Sequence, residues 1–270
     1  MSVVSILYIA VGITSLVVGA EWLVRGASRI ASRTGLSNVV IGLTVVAFGT
    51  SAPELAVGLG DVLRGNEDAG EIAVGNVIGS NIANILFALG LAAAVGGALI
   101  VAQRIVRIDV PIMIGVSVLF LLFALDGGIG RVDGLVLTTG LVAYVTWTVL
   151  WARRRTAIGV ELQYEEALAP ARVPQRSVWN DITVFGVGLV LLVIGAQGLV
   201  TGAGDIAADL GVSDLLIGLT VVAIGTSLPE VATTIVAALR GQRDLAVGNA
   251  IGSNLFNLLG VLGITALVSP

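Results

Sequence analysis

Apolar stretches recur along the whole chain, and each is about as long as the ~20 residues that a helix needs to cross a bilayer. Hydropathy places eight of them, near residues 3–24, 38–60, 70–99, 108–126, 132–151, 180–203, 213–238 and 245–268. Composition supports this. Of 270 residues, 56% are hydrophobic and 12% charged, against about 25% charged in an ordinary soluble domain. So few charges cannot cover a water-facing surface. A membrane barrel would show alternating segments of ~10 residues, and none is seen. The expected fold class is therefore an all-α integral membrane protein. Met1 to Gly19 carries no charge, which argues for a retained first span and against a cleaved signal peptide.

Residue types that are missing exclude several chemistries. With no Cys and no His, disulfides, thiolate metal sites and imidazole relays are ruled out. A net charge of −4 gives no reason to expect nucleic-acid binding. No nucleophile–base pair, cofactor loop or phosphate-binding motif appears. That argues against an enzyme, and no cofactor is implied.

All basic residues are arginine, and they sort by loop. Odd-numbered loops hold Arg25, Arg29, Arg33, Arg104, Arg107, Arg153, Arg154, Arg155, Arg172, Arg176, Arg240 and Arg243, while even-numbered loops hold Arg64 and Arg131. This bias places both termini outside and the linker in the cytoplasm. The acidic loop residues Asp61, Glu67, Asp68 and Glu71 read as solvated, and Glu21 with Arg25 reads as an interfacial i, i+4 pair.

The chain repeats itself. Gly35–Glu54 (GLSNVVIGLTVVAFGTSAPE) aligns without a gap to Gly211–Glu230 (GVSDLLIGLTVVAIGTSLPE), identical at 14 of 20 positions. AVGNVIGSNIAN, ending at Asn84, likewise matches AVGNAIGSNLFN, ending at Asn257. The first copy begins at span 1 and the second at span 6. An odd number of spans separates them, so the halves should cross the membrane in opposite senses, as in inverted-repeat transporters. The expected organisation is a first half of five spans (1–151), a cytoplasmic linker (152–178) and a second half of three spans (179–270).

Two carboxylates, Glu54 and Glu230, fall in mid-span, each directly after a proline. A charge there costs several kcal/mol, and no arginine lies at matching depth, so a cation from solution is the natural partner. Pro53 and Pro229 remove helical donors and should kink their helices near Thr50 and Thr226. Carbonyl oxygens freed there, together with carboxylates, are the donors that hard cations prefer. Helical spacing aligns Ala47, Thr50, Ser51 and Glu54, and likewise Ala223, Thr226, Ser227 and Glu230. On the following helices Ser80, Asn84, Ser253 and Asn257 are further ligand candidates. Asn76, Asn249, Asn81 and Asn254 read as interhelical hydrogen-bonding residues. Two carboxylates are balanced by one Ca²⁺ or by two or more monovalent ions, and an empty site would resist reorientation. That favours exchange over leak.

GTSAPE and GTSLPE, each followed by GNxxGSNxxN, resemble the paired repeats of the calcium/cation antiporter superfamily, in particular its prokaryotic sodium/calcium exchanger branch. The resemblance covers essentially the whole chain. It implies a plasma-membrane antiporter of prokaryotic type that exchanges Ca²⁺ for Na⁺, its cargo, by alternating access. Carried over by motif, Glu54, Glu230 and the carbonyls of Thr50 and Thr226 would bind Ca²⁺. The carbonyls of Ala47 and Ala223, with Ser51, Ser227, Ser80 and Ser253, would serve Na⁺. Asn84 and Asn257 take a central position held by Asn or Asp in relatives. Asn at both argues against potassium dependence, and GTSxPE in place of the GNxxE of proton-coupled relatives favours sodium. The family pattern has ten helices, against eight here (five plus three). The absent counterparts of spans 4 and 5 would expose spans 7 and 8 to lipid, or to a partner chain supplying them in trans. Two other readings stay open: a proton-coupled divalent-cation exchanger, and a truncated or regulatory cation-binding subunit.

Overall fold

The computed structural model describes residues 2–64, 69–97, 101–157, 177–213 and 223–269. All regular elements among these residues are helical. In chain order they are α1 (Val3–Thr34), α2 (38–50), α3 (Ala52–Leu63), α4 (Gly70–Gly96), α5 (Ile105–Phe123), α6 (Arg131–Ala157), α7 (Val178–Asp209), α8 (Ala223–Thr226), α9 (Leu228–Leu239) and α10 (Arg243–Val268). Seven of the expected spans match segments long and apolar enough to cross a membrane. The remaining one, 213–238, is represented by α8 and α9, since residues 214–222 lie outside the described residues. So do Glu67, Asp68, Arg172 and Arg176, and most of the expected linker.

Helix ends differ from the hydropathy estimate for a physical reason. α1 continues past residue 24 to Thr34, where Gly35 takes a left-handed conformation (φ 67°) and ends it. The arginines on its last turns are neutralised where they lie. Arg25 pairs with Glu21, and Arg29 and Arg33 meet the fully buried Asp181 of α7 at 3.6 and 2.5 Å. Hydropathy alone reads such arginines as loop.

α1 and α7 are repeat mates and lie side by side, antiparallel, along most of their length. Glycines make this possible. Gly12, Gly19 and Gly26 recur every seventh residue on α1, as do Gly188, Gly195 and Gly202 on α7. A Cβ on Gly12 would sit 2.8 Å from the Leu199 nitrogen, and one on Gly19 2.8 Å from both the Gly188 carbonyl oxygen and the Leu192 nitrogen. From the other side, a Cβ on Gly195 would lie 2.8 Å from the Gly12 oxygen, and one on Gly188 2.5 Å from the Leu23 nitrogen. Gly12 against Leu199 and Gly188 against Leu23 are the same contact under exchange of the halves. The inverted repeat is thus written into the packing as well as the sequence. Such small-residue contact is how helices approach closely in lipid.

The expectation that spans 7 and 8 would lie exposed is corrected for span 8. Among the described residues α10 is the most enclosed of the long membrane helices, whereas its repeat mate α4 is largely exposed. The first half's α5 and α6 cover α10: Leu137, Leu141 and Tyr144 pack with Leu255, Leu258, Leu259 and Leu262. Gly134 and Gly263 allow close backbone contact there. It is α4 whose outer face, with Ile82 and Leu86, is exposed. An internal ion pair anchors the covering helices. Asp109 is fully buried, accepts a hydrogen bond from the Tyr144 hydroxyl at 2.9 Å, and has Arg104 Nε at 3.4 Å. The Arg104 guanidinium stacks over the Trp151 ring at 4.4 Å.

Replacing Gly19 or Gly195 by Leu should force α1 and α7 apart and destabilise the protein by about 1–3 kcal/mol, the usual cost of overpacking. Gly115→Ala, at a position with open space around it, should be neutral. Thermal unfolding in detergent checks both.

Candidate cation site

Where α2 meets α3 the helix does more than kink. Ser51 leaves helical geometry (φ −85°, ψ 5°), and Ser227 does the same between α8 and α9 (φ −85°, ψ 0°). The prolines fall in the first turn of the resumed helix, where a missing N–H costs nothing. Each break therefore converts a mid-span glutamate into a first-turn residue. Glu54 opens α3 and Glu230 opens α9, and the helix dipole there favours negative charge. The continuous helical face expected from Ala47 to Glu54 is thus split at Ser51.

Glu54 and Glu230 are both completely buried, and Ser51, three residues before Glu54, reaches Glu230 across the halves. Among the described residues neither has an arginine partner, unlike Asp109 and Asp181. Hydroxyls serve them instead. Ser80 donates to Glu54 Oε1 at 3.1 Å, and Ser51 donates across the halves to Glu230 Oε1 at 3.0 Å. Ser80 in turn accepts from the Ser227 hydroxyl at 2.9 Å and from Asn257 Nδ2 at 3.1 Å. Its one donor and two acceptor positions are thereby filled.

The remaining candidates surround this centre. Thr50 Oγ1 lies 3.2 Å from Asn249 Oδ1 and 3.4 Å from Ser253 Oγ. The mate of the first contact, Thr226 to Asn76, is made at 3.1 Å. The Ala47 carbonyl receives the Ser51 N–H at 3.0 Å. Ala223 begins α8. Asn84 and Asn257 sit at matched one-turn widenings of their helices, Ala83–Leu89 and Asn257–Val261, where the chain adopts π-helical geometry. Such bulges recur at functional sites, and neither hydropathy nor motif spacing carries a signal for them.

Among the described residues four buried oxygens at matched positions accept no hydrogen bond: Glu54 Oε2, Glu230 Oε2, Asn84 Oδ1 and Asn257 Oδ1. Among the described residues no three Asp, Glu, His or Cys side chains gather as a metal centre. The donor set is instead two carboxylates with neutral amide, hydroxyl and carbonyl oxygens. Such a donor set suits a hard cation.

The surroundings are unequal. α1 packs along α9, whose Ala237 and Ala238 are buried, and Arg240 closes this side with a two-pronged contact to Glu21 (2.6 and 2.8 Å). Among the described residues α7 makes no comparable contact with α3, and Leu63 at the end of α3 is exposed.

Inverted halves, broken helices and a buried oxygen-lined centre at the interface of the halves define a secondary membrane transporter. Residues 4–150 and 181–270 match the family described as "Sodium/calcium exchanger protein". The chain belongs to the sodium/calcium exchanger family. It is 40% identical to the "Putative antiporter CaxA" of Alkalimonas amylolytica over 99% of this chain and 82% of the relative. It is 32% identical to the "Sodium/calcium exchanger MaX1" of Methanosarcina acetivorans, over 100% and 85% respectively. The solved structure of the sodium-calcium exchanger NCX_Mj, soaked with Na⁺ and Sr²⁺, superposes with a TM-score of 0.82 at 33% identity, over 99% of this chain and 83% of that one.

If Glu54 and Glu230 hold a cation, Ca²⁺ should raise the unfolding temperature of the purified protein, by about 2.7 kcal/mol of added stability at a hundredfold excess over Kd. Glu54→Gln and Glu230→Gln should each lose that dependence while remaining folded without ions. Thermal scans across a Ca²⁺ series read the outcome.

Proposed function

We propose that this protein is an antiporter that moves Ca²⁺ in exchange for Na⁺ by alternating access. The observation that carries this reading is the pair of fully buried carboxylates, one from each half, that among the described residues meet no arginine and stand beside oxygens that accept no hydrogen bond. Two such charges without a counter-ion are costly to bury, so the site is built for cations. One Ca²⁺ balances them, as do two or more Na⁺. Either load permits reorientation, and the empty site opposes it.

In this reading Glu54 and Glu230, with the carbonyls of Thr50 and Thr226, hold Ca²⁺. The carbonyls of Ala47 and Ala223 and the hydroxyls of Ser51, Ser227, Ser80 and Ser253 receive Na⁺. Asn84 and Asn257 complete the centre. Kinship with proteins called sodium/calcium exchangers, one of them soaked with Na⁺ and Sr²⁺, supports sodium as counter-ion. The arginine bias supports both termini outside and the 152–178 linker in the cytoplasm. With that orientation the side carrying the Arg240–Glu21 contact is cytoplasmic.

The test is Ca²⁺ uptake into proteoliposomes holding the purified chain with Na⁺, K⁺ or a proton gradient inside. Uptake driven by internal Na⁺ alone, and abolished by Glu54→Gln or Glu230→Gln, is the expected result. Uptake driven by protons would replace sodium as the counter-ion. No uptake from folded protein under any gradient would leave a cation-binding subunit as the reading.

A further inference from the structure

Asn81 and Asn254 are repeat mates that meet each other. Asn81 Nδ2 donates to the Asn254 main-chain carbonyl at 3.3 Å, and Asn254 Nδ2 donates to the Asn81 carbonyl at 3.3 Å. A main-chain carbonyl can only accept, so both amides have a single permitted orientation. Asn254 Oδ1 must then present a lone pair to Asn84, which answers with Nδ2 at 3.1 Å. Asn81 Oδ1 presents one to Asn257, which also answers with Nδ2 at 3.1 Å. In consequence the oxygens of Asn84 and Asn257 are left buried with no donor. Reversing either amide would put an N–H₂ group where the oxygen stands.

We infer that Asn81 and Asn254 are positioning residues that fix the amide orientation of Asn257 and Asn84, so that oxygen and not N–H₂ faces the transported ion. This rests on the cation-site reading above. The two sides are unequal in a testable way. Asn257 Nδ2 has a second acceptor, Ser80 Oγ at 3.1 Å, whereas Asn254 Oδ1 is the one hydrogen-bond acceptor that Asn84 Nδ2 has among the described residues. Loss of Asn254 should therefore matter more than loss of Asn81.

A carboxylate separates orientation from packing, because its two oxygens are equivalent and it cannot be reversed. In the Asn84→Asp background Asn254 has nothing left to orient, and its own oxygen opposes the new carboxylate. Calorimetric titration of Ca²⁺ into the purified full chain is the experiment, with thermal unfolding in ion-free buffer as the check on folding. Asn254→Leu should weaken Ca²⁺ binding about tenfold, the worth of one hydrogen bond to a charged or buried group. In the Asn84→Asp background the same change should leave affinity equal or improved. Asn81→Leu should cost about threefold by the same measure, and nothing when Asn257→Asp is present. This second pair carries the test if Asn254→Leu does not fold. Equal losses in both backgrounds, or no loss in either, would overturn the inference while leaving the cation site intact. Wild-type protein that binds no Ca²⁺ would overturn the site and the inference together.

Discussion

The structure turns on two carboxyl groups that have been taken out of water without, among the described residues, a positive side chain to meet them. Elsewhere the protein follows the usual rule: Asp109 has Arg104, and Asp181 has Arg29 and Arg33. At Glu54 and Glu230 the partners are hydroxyls and the start of a helix. These donate to one carboxylate oxygen and leave the other without a donor. An arginine in that place would hold the carboxylates permanently. Hydroxyls, amides and carbonyls can trade places with an ion at little cost, and much of the scaffold brings them within reach.

The broken helices are the local device that makes this possible. A proline in mid-helix would cost ~3 kcal/mol or more, but one residue of non-helical chain moves it to a first turn, where it is tolerated. The same interruption brings a serine hydroxyl and a glutamate to the centre from one short stretch. The widened turns at Asn84 and Asn257 are the corresponding device on α4 and α10. Around these, α5 and α6 enclose α10, and α1 with α7 forms the flank.

Much of this was legible in the sequence, because the informative features were chemical exceptions. Carboxylates and prolines inside apolar runs stand out, and duplication of GTSxPE and GNxxGSNxxN marks both halves. What escaped reading was contact geometry. Arg29 and Arg33 looked like loop residues, since hydropathy does not register a buried partner 148 or more positions away in the chain at Asp181. The glycines at 12, 19 and 26, and at 188, 195 and 202, did carry a readable signal: a seven-residue period at equivalent places in both halves. Asn81 and Asn254 could be assigned only to interhelical hydrogen bonding. Which oxygen each amide presents follows from register, and sequence does not fix register between helices.

The contact of Asn81 with Asn254 has a geometric meaning of its own. A residue that touches its counterpart reciprocally lies on the axis relating the two, which is the mark of an isologous interface. The pseudo-symmetry axis of this chain therefore passes between those two side chains. Seen this way, the fold is a homodimer contact carried inside one polypeptide. A shorter ancestor, inserted into the membrane in both directions, would have met its own copy at the same asparagines and the same glycines. In one polypeptide the opposite orientations of the halves are fixed, and matched positions such as Glu21 and Gln197 are free to differ.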